Sequence, residues 1–136
     1  MLRWITSLCR RTSLPQLCPA HALGERGERQ AAKFLRKAGL KVLAGNYRCD
    51  AGEIDIIALD HETLVFVEVK TRSSDASVLP EASVDTDKKK HIRAVARHYL
   101  AAHPQARRFQ TRYDIISIVW PAGESPTIRH LVGAFT

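Results

Sequence analysis

The sequence predicts a mixed β-sheet flanked by helices, of α/β or α+β type. Three observations predict it. Two runs rich in Ile and Val, Glu53 to Leu59 and Thr63 to Lys70, lie only three residues apart, as hairpin strands do. Helical periodicity flanks this pair on both sides. The second helix, between Lys70 and Arg112, is long enough for a crossover to a parallel strand. At 136 residues, with 45% hydrophobic and 26% charged residues, the chain suits one globular domain. It has no run of about 18 apolar residues, so a membrane-spanning helix is not expected.

Residues 1–20 read as a basic tail without fixed structure, and residues 21–136 as the domain. The tail holds Arg3, Arg10 and Arg11, two prolines and no acid. Its apolar patch, Trp4, Ile5 and Leu8, is cut short by Arg10 and Arg11, too soon for a secretory signal. The three cysteines, Cys9, Cys18 and Cys49, lack the spacing of a disulfide framework or a zinc knuckle. They fit free thiols in a reducing cytoplasm, where we expect the protein.

Ala22 to Ala38 reads as the first helix, with Gly39 as its C-terminal cap. Lys41 to Asn46 is a short strand, and residues 49–52 a turn. The hairpin strands follow, then a polar, Ser-rich loop from Thr71 to Ser83. Asp85, Thr86 and Asp87 open the second helix, whose apolar stripe is Ile92, Val95, Ala96, Tyr99 and Leu100. That helix ends near His103 and Pro104; Arg112 to Val119 and a short strand around Ile128 to Leu131 complete the chain.

Seven of the fourteen acids fall between Asp50 and Asp75. Three of them, Glu53, Asp55 and Glu68, interrupt apolar strands. Alternation puts Glu53 and Asp55 on one strand face and Ile54 and Ile56 on the other, with Glu68 and Lys70 together on the next strand. A two- or four-residue loop sets Asp60 opposite Thr63. Asp55 then lies opposite Glu68, and Glu53 opposite Lys70, with facing Cβ atoms ~5 Å apart. Two such carboxylates repel unless a cation lies between them. Lys70 alone gives a structural ion-pair cluster. A hard divalent cation such as Mg²⁺ or Mn²⁺ would take Asp55, Glu68 and the Val69 carbonyl as oxygen ligands, leaving Lys70 to polarise the attacking water and stabilise transition-state charge. Glu28 lies on the interior stripe of the first helix with Gly24, Ala31, Leu35 and Ala38; it is either solvated at the stripe's edge or an outer ligand of the same site.

Gly52-Glu53-Ile54-Asp55, twelve residues, then Glu68-Val69-Lys70 resembles the bipartite PD-(D/E)xK motif of restriction-endonuclease-like nucleases, with Ile54 in place of the proline. From Ala22 to Phe135, about five-sixths of the chain, the sequence is similar to the YraN family of small bacterial proteins, which is assigned to that superfamily. The likeness includes Gly24-x-x-Gly27-Glu28, the run Val65 to Arg72, Ala82-Ser83-Val84 with Lys88, and Arg112 to Ile116. The resemblance implies a restriction-endonuclease-like sheet of order α-β-β-β-α-β and Mg²⁺-dependent phosphodiester cleavage. It also implies similarity to archaeal Holliday-junction resolvases, which act on branched DNA as symmetric dimers. Residue by residue, it assigns the motif to Asp55, Glu68 and Lys70, and the superfamily's helical acid to Glu28.

The chain carries a net charge of +7, and from Lys88 to Arg112 it has eight Lys or Arg and no acid. A surface built from Lys88, Lys89, Lys90, Arg93 and Arg97, with Arg72 from the hairpin, would neutralise DNA phosphates without reading bases. Lys88 differs from its neighbours: it lies one turn before Ile92 on the apolar stripe, so it points at the sheet. Three readings stand at this point: a Mg²⁺-dependent, structure-selective DNA endonuclease, a non-catalytic nucleic-acid-binding module on the same scaffold, and a partner-binding domain whose acids form an ion-pair network.

Overall fold

In the computed structural model residues 19–74 and 85–136 are described, with side chains from residue 21 onward. Residues 1–18 of the expected tail lie outside the described residues, as do Asp75 and Ala82-Ser83-Val84, while Pro19 and Ala20, also expected in the tail, open the first helix. The elements are α1 (Pro19–Lys37), β1 (Lys41–Cys49), β2 (Gly52–Asp60), β3 (Thr63–Arg72), α2 (Thr86–Ala102), a 3-10 helix (Pro104–Arg108), β4 (Gln110–Val119) and β5 (Thr127–Phe135). The sheet order is β1-β2-β3-β4-β5. All pairings are antiparallel except β3 with β4, which are joined by the α2 crossover. This is the mixed, helix-flanked sheet that the sequence predicts.

Local chemistry sets the elements. α1 begins at Pro19, earlier than the expected Ala22, and ends in the expected cap: Gly39 has φ 95°, its N–H donates to Arg36 O, and Leu40 N–H donates to Leu35 O. Leu35 and Leu40 then pack in one cluster. α2 starts at an Asp85 cap, whose carboxylate accepts from Lys88 N–H at 2.8 Å. The hairpin turn is His61–Glu62, with His61 at φ 53° and Asp60 opposite Thr63.

The sheet is covered on both faces. Ile92, Val95, Ala96 and Tyr99 of α2 pack with Ile54, Ile57, Leu64, Phe66 and Ile115. Ala31 and Leu35 of α1 pack with Ile56, Ala58, Val65, Val67, Ile116 and Ile118. Ala38, expected on the α1 core stripe, is exposed, because Gly27, Ala31 and Leu35 are the residues that meet the sheet. At Gly27 a Cβ would overlap the Thr71 hydroxyl and lie 2.8 Å from Thr71 Cβ, so α1 sits backbone-close on β3.

Two expectations are corrected. β5 runs to Phe135 instead of stopping near Leu131, because a bulge beyond Ile115↔Leu131 lets pairing resume at Tyr113↔Phe135. Gly133, at φ 60°, supplies the turn, and its N–H donates to Asp114. Arg112, one of the eight bases counted from Lys88 to Arg112, is instead part-buried in an ion-pair network. It donates to both oxygens of Asp114 (2.9 and 3.0 Å) and to Asp60 (3.0 Å), and His130 completes the set on Asp114 at 2.7 Å. Burial would raise the Asp114 pKa, but hydrogen bonds from His130, Arg112 and Gly133 outweigh it and hold the carboxyl below its ordinary range.

This network gives a pH dependence with a fixed sign. A depressed carboxyl stabilises the fold above its unfolded pKa of ~3.9, and the contribution is lost as pH falls through the lower folded value. Asp114→Asn is expected to cost ~2 kcal/mol at pH 7, because part-buried Arg112 and His130 lose a charged hydrogen-bond acceptor. Its stability should also fall less steeply than the wild type's below about pH 4. Urea melts at pH 7 and in the acid range measure both.

Candidate active site

The β2–β3 ladder runs from Asp60↔Thr63 to Ile56↔Val67 and stops there. Beyond that point the Asp55 carboxylate, not a backbone carbonyl, accepts from Val69 N–H at 2.7 Å. The N–H and C=O of one strand residue leave on the same side, so the Val69 carbonyl opens on the same gap. The alternation of β2 also slips here: Ile54 packs on the α2 side and Ile56 on the α1 side. The expected shared face of Ile54 and Ile56 is therefore corrected, because β2 turns as it leaves β3. The gap joins the two faces of the sheet.

Side chains from both faces meet at the gap. Glu68 is 6% exposed. Its Oε1 lies 3.4 Å from Lys70 Nζ and 3.3 Å from Lys88 Nζ, so strand β3 and the first turn of α2 converge on one oxygen. Asp55 is also buried. Burial first, then the charge of Glu68, push its carboxyl far above the ordinary range, to about 8, against the opposing Val69 N–H. From α1, Glu28 is also raised, by burial first; a hydrogen bond from Asn46 pulls it back, and the charge of Glu53 raises it further. Asn46, at φ 52° in β1, was not singled out from the sequence. Its one signal is that Asn is uncommon inside strands.

Not every expected neighbour is in place. Glu53 pairs with Arg48 at 3.0 Å on the exposed β1–β2 edge, and no ion pair joins it to Lys70 among the described residues. Its expected position opposite Lys70 is lost because the β2–β3 ladder ends three residues earlier. Lys88, grouped by sequence with the phosphate-binding face, points inward as its stripe position implies. Lys89 and Arg93 lie over the Phe135 ring at 5.7 and 5.8 Å, and Arg93 also donates to Thr136 O. Lys90 and Arg97 are exposed. Arg72 sits at the end of β3, and its carbonyl accepts from Trp120 N–H at 2.7 Å.

Among the described residues no three His, Cys, Asp or Glu side chains form a ready-made metal cage. The donors at the gap are two carboxylates and a carbonyl, with Glu28 behind them. Mg²⁺ binds through one or two carboxylates and fills its shell with water and phosphate oxygens, so this hard-oxygen set fits it. Burial and the neighbouring charge of Glu68 both raise Asp55, and a cation between the two carboxylates would relieve that repulsion.

A raised acid stabilises the fold fully below its unfolded pKa, and that contribution is lost as pH rises through the folded value. For Asp55 the window runs from ~3.9 to about 8. Asp55→Asn keeps an acceptor for Val69 N–H and carries no charge. In EDTA it should melt above the wild type at pH 8, with the difference closing toward pH 4.

The uncharacterised protein family UPF0102 matches residues 27–118, a span that holds every residue of the gap. A UPF0102 protein of Nocardia farcinica is 40% identical over 124 residues, covering 91% of this chain and 97% of that protein. One of Caldicellulosiruptor bescii is 45% identical over 96 residues, covering 71% and 81%. One of Geobacter metallireducens is 41% identical over 114 residues, covering 84% and 92%.

Proposed function

We propose that this chain, which belongs to the UPF0102 family, is a divalent-metal-dependent DNA endonuclease that selects its substrate by structure, branched DNA included. The observation that carries this reading is the gap at the end of the β2–β3 ladder. There two carboxylates are buried, one of them accepting from the Val69 N–H, and two lysines converge on Glu68. Burial and the charge of Glu68 raise the Asp55 carboxyl, as is common where a carboxylate serves a functional site.

In this reading Asp55, Glu68 and the Val69 carbonyl hold Mg²⁺ or Mn²⁺, and Glu28 acts from the outer shell through water. When bound, the ion lowers the pKa of water and offsets charge on the phosphoryl oxygens. Lys70 orients the attacking water and stabilises the charge that develops on the phosphate. Arg72, Lys90 and Arg97 supply backbone contacts without base reading, and Lys89 and Arg93 support them from their place on Phe135. No helix of the described residues is long and apolar enough to cross a membrane. We place the protein in the cytoplasm, acting on DNA as a homodimer.

A panel of linear, flapped and four-way DNA incubated with Mg²⁺ or Mn²⁺ tests this. The wild type should cut, EDTA should abolish cutting, and Asp55→Asn and Lys70→Ala should each lower the rate by about 100-fold or more. DNA binding without cleavage under every metal condition would replace the nuclease reading with the non-catalytic binding module.

A further inference from the structure

Lys88 is out of place for a residue that serves only its helix. It sits in the first turn of α2, where the positive end of the macrodipole disfavours cations. Its backbone N–H is held by the Asp85 cap at 2.8 Å, which fixes the root of the side chain. Its ammonium lies 3.3 Å from Glu68 Oε1, the same oxygen that Lys70 approaches at 3.4 Å. Glu68 thus has two cations on one oxygen, while Asp55 beside it has none within ion-pair distance among the described residues. Lys88 also keeps a 36% exposed side chain, so its four-carbon stem is free to swing outward.

A divalent ion on Glu68 would displace one of these ammonium groups by charge repulsion. Lys70 stands on β3 within the site. Lys88 reaches in from another element; its side chain is 36% exposed, close to the 32% of Lys70, so its root on α2 is what sets it apart. Once displaced, it needs an anion, and the phosphate bound at the ion is the one within its sweep. We propose that Lys88 is a metal-released phosphate clamp: without a divalent ion it neutralises Glu68, and when the ion takes Glu68 it turns to bind the phosphodiester. The proposal rests on the metal-site reading above and adds a linkage to it: metal and DNA bind cooperatively, and by reciprocity each tightens the other.

The experiment measures DNA affinity by fluorescence anisotropy for the wild type, Lys88→Gln and Lys88→Arg, in EDTA and in Ca²⁺. In EDTA the wild type and Lys88→Gln should bind alike, because Lys88 is engaged with Glu68. In Ca²⁺ Lys88→Gln should bind about fivefold or more weakly than the wild type, and Lys88→Arg should recover part of the loss. The ion's own contact with phosphate persists in every variant, so the Lys88-dependent ratio is the quantity that decides. Without DNA, calorimetry should show Ca²⁺ binding more tightly to Lys88→Gln, since its competitor is gone. An equal loss with and without Ca²⁺ would make Lys88 an ordinary surface contact and overturn the clamp. No change in either condition would make it a structural ion pair and also overturn it. The nuclease reading fails separately: a wild type that shows the Lys88-dependent coupling but cuts no DNA in Mg²⁺ refutes cleavage and leaves the clamp standing. A wild type that binds no Ca²⁺ refutes both.

Discussion

The early end of the β2–β3 ladder is the constraint on which the rest of the structure depends. A hairpin paired to its open end would satisfy Val69 N–H with a backbone carbonyl and seal the two faces of the sheet from each other. Instead pairing stops at Ile56↔Val67, and the Asp55 carboxylate takes the Val69 N–H. That substitution satisfies the donor at the cost of burying an acid. It also opens a place where α1, through Glu28, and α2, through Lys88, both act on Asp55. Close packing of Gly27 on Thr71 brings Glu28 to this opening.

Two buried acid clusters in one sheet show how differently such groups are treated. Asp114 has three partners, one of them a bidentate arginine, and its carboxyl is held below its ordinary range. It fixes the bulge that lets β5 run on to Phe135. Asp55 has one donor and a like charge beside it, and its carboxyl is held far above that range. The first is a satisfied network that stabilises the fold. The second has one backbone donor favouring its charged form against burial and a like charge, the environment in which the proposed function places a cation.

Much of this was legible in the sequence. The hairpin, its turn and the facing of Asp60 and Thr63 follow from strand pattern and loop length. The α2 crossover follows from helix length, and the inward aim of Lys88 from its position one turn before Ile92. Alternation arithmetic failed at Ile54 and Glu53, because it assumes a ladder that continues, and the point where two strands part is a tertiary event. The Arg112–Asp114–His130 network was equally hidden. Its members sit on two strands whose pairing depends on a bulge, and in sequence Arg112 looks like one more surface base.

The central claim is that the gap between β2 and β3 is a cation site. Crystals soaked in Mn²⁺ and measured at the manganese absorption edge test it most directly. The account predicts one anomalous peak bonded to Asp55, Glu68 and the Val69 carbonyl, with Lys88 withdrawn from Glu68. A map with no peak there, or with Glu68 still held by both lysines at saturating Mn²⁺, would contradict it.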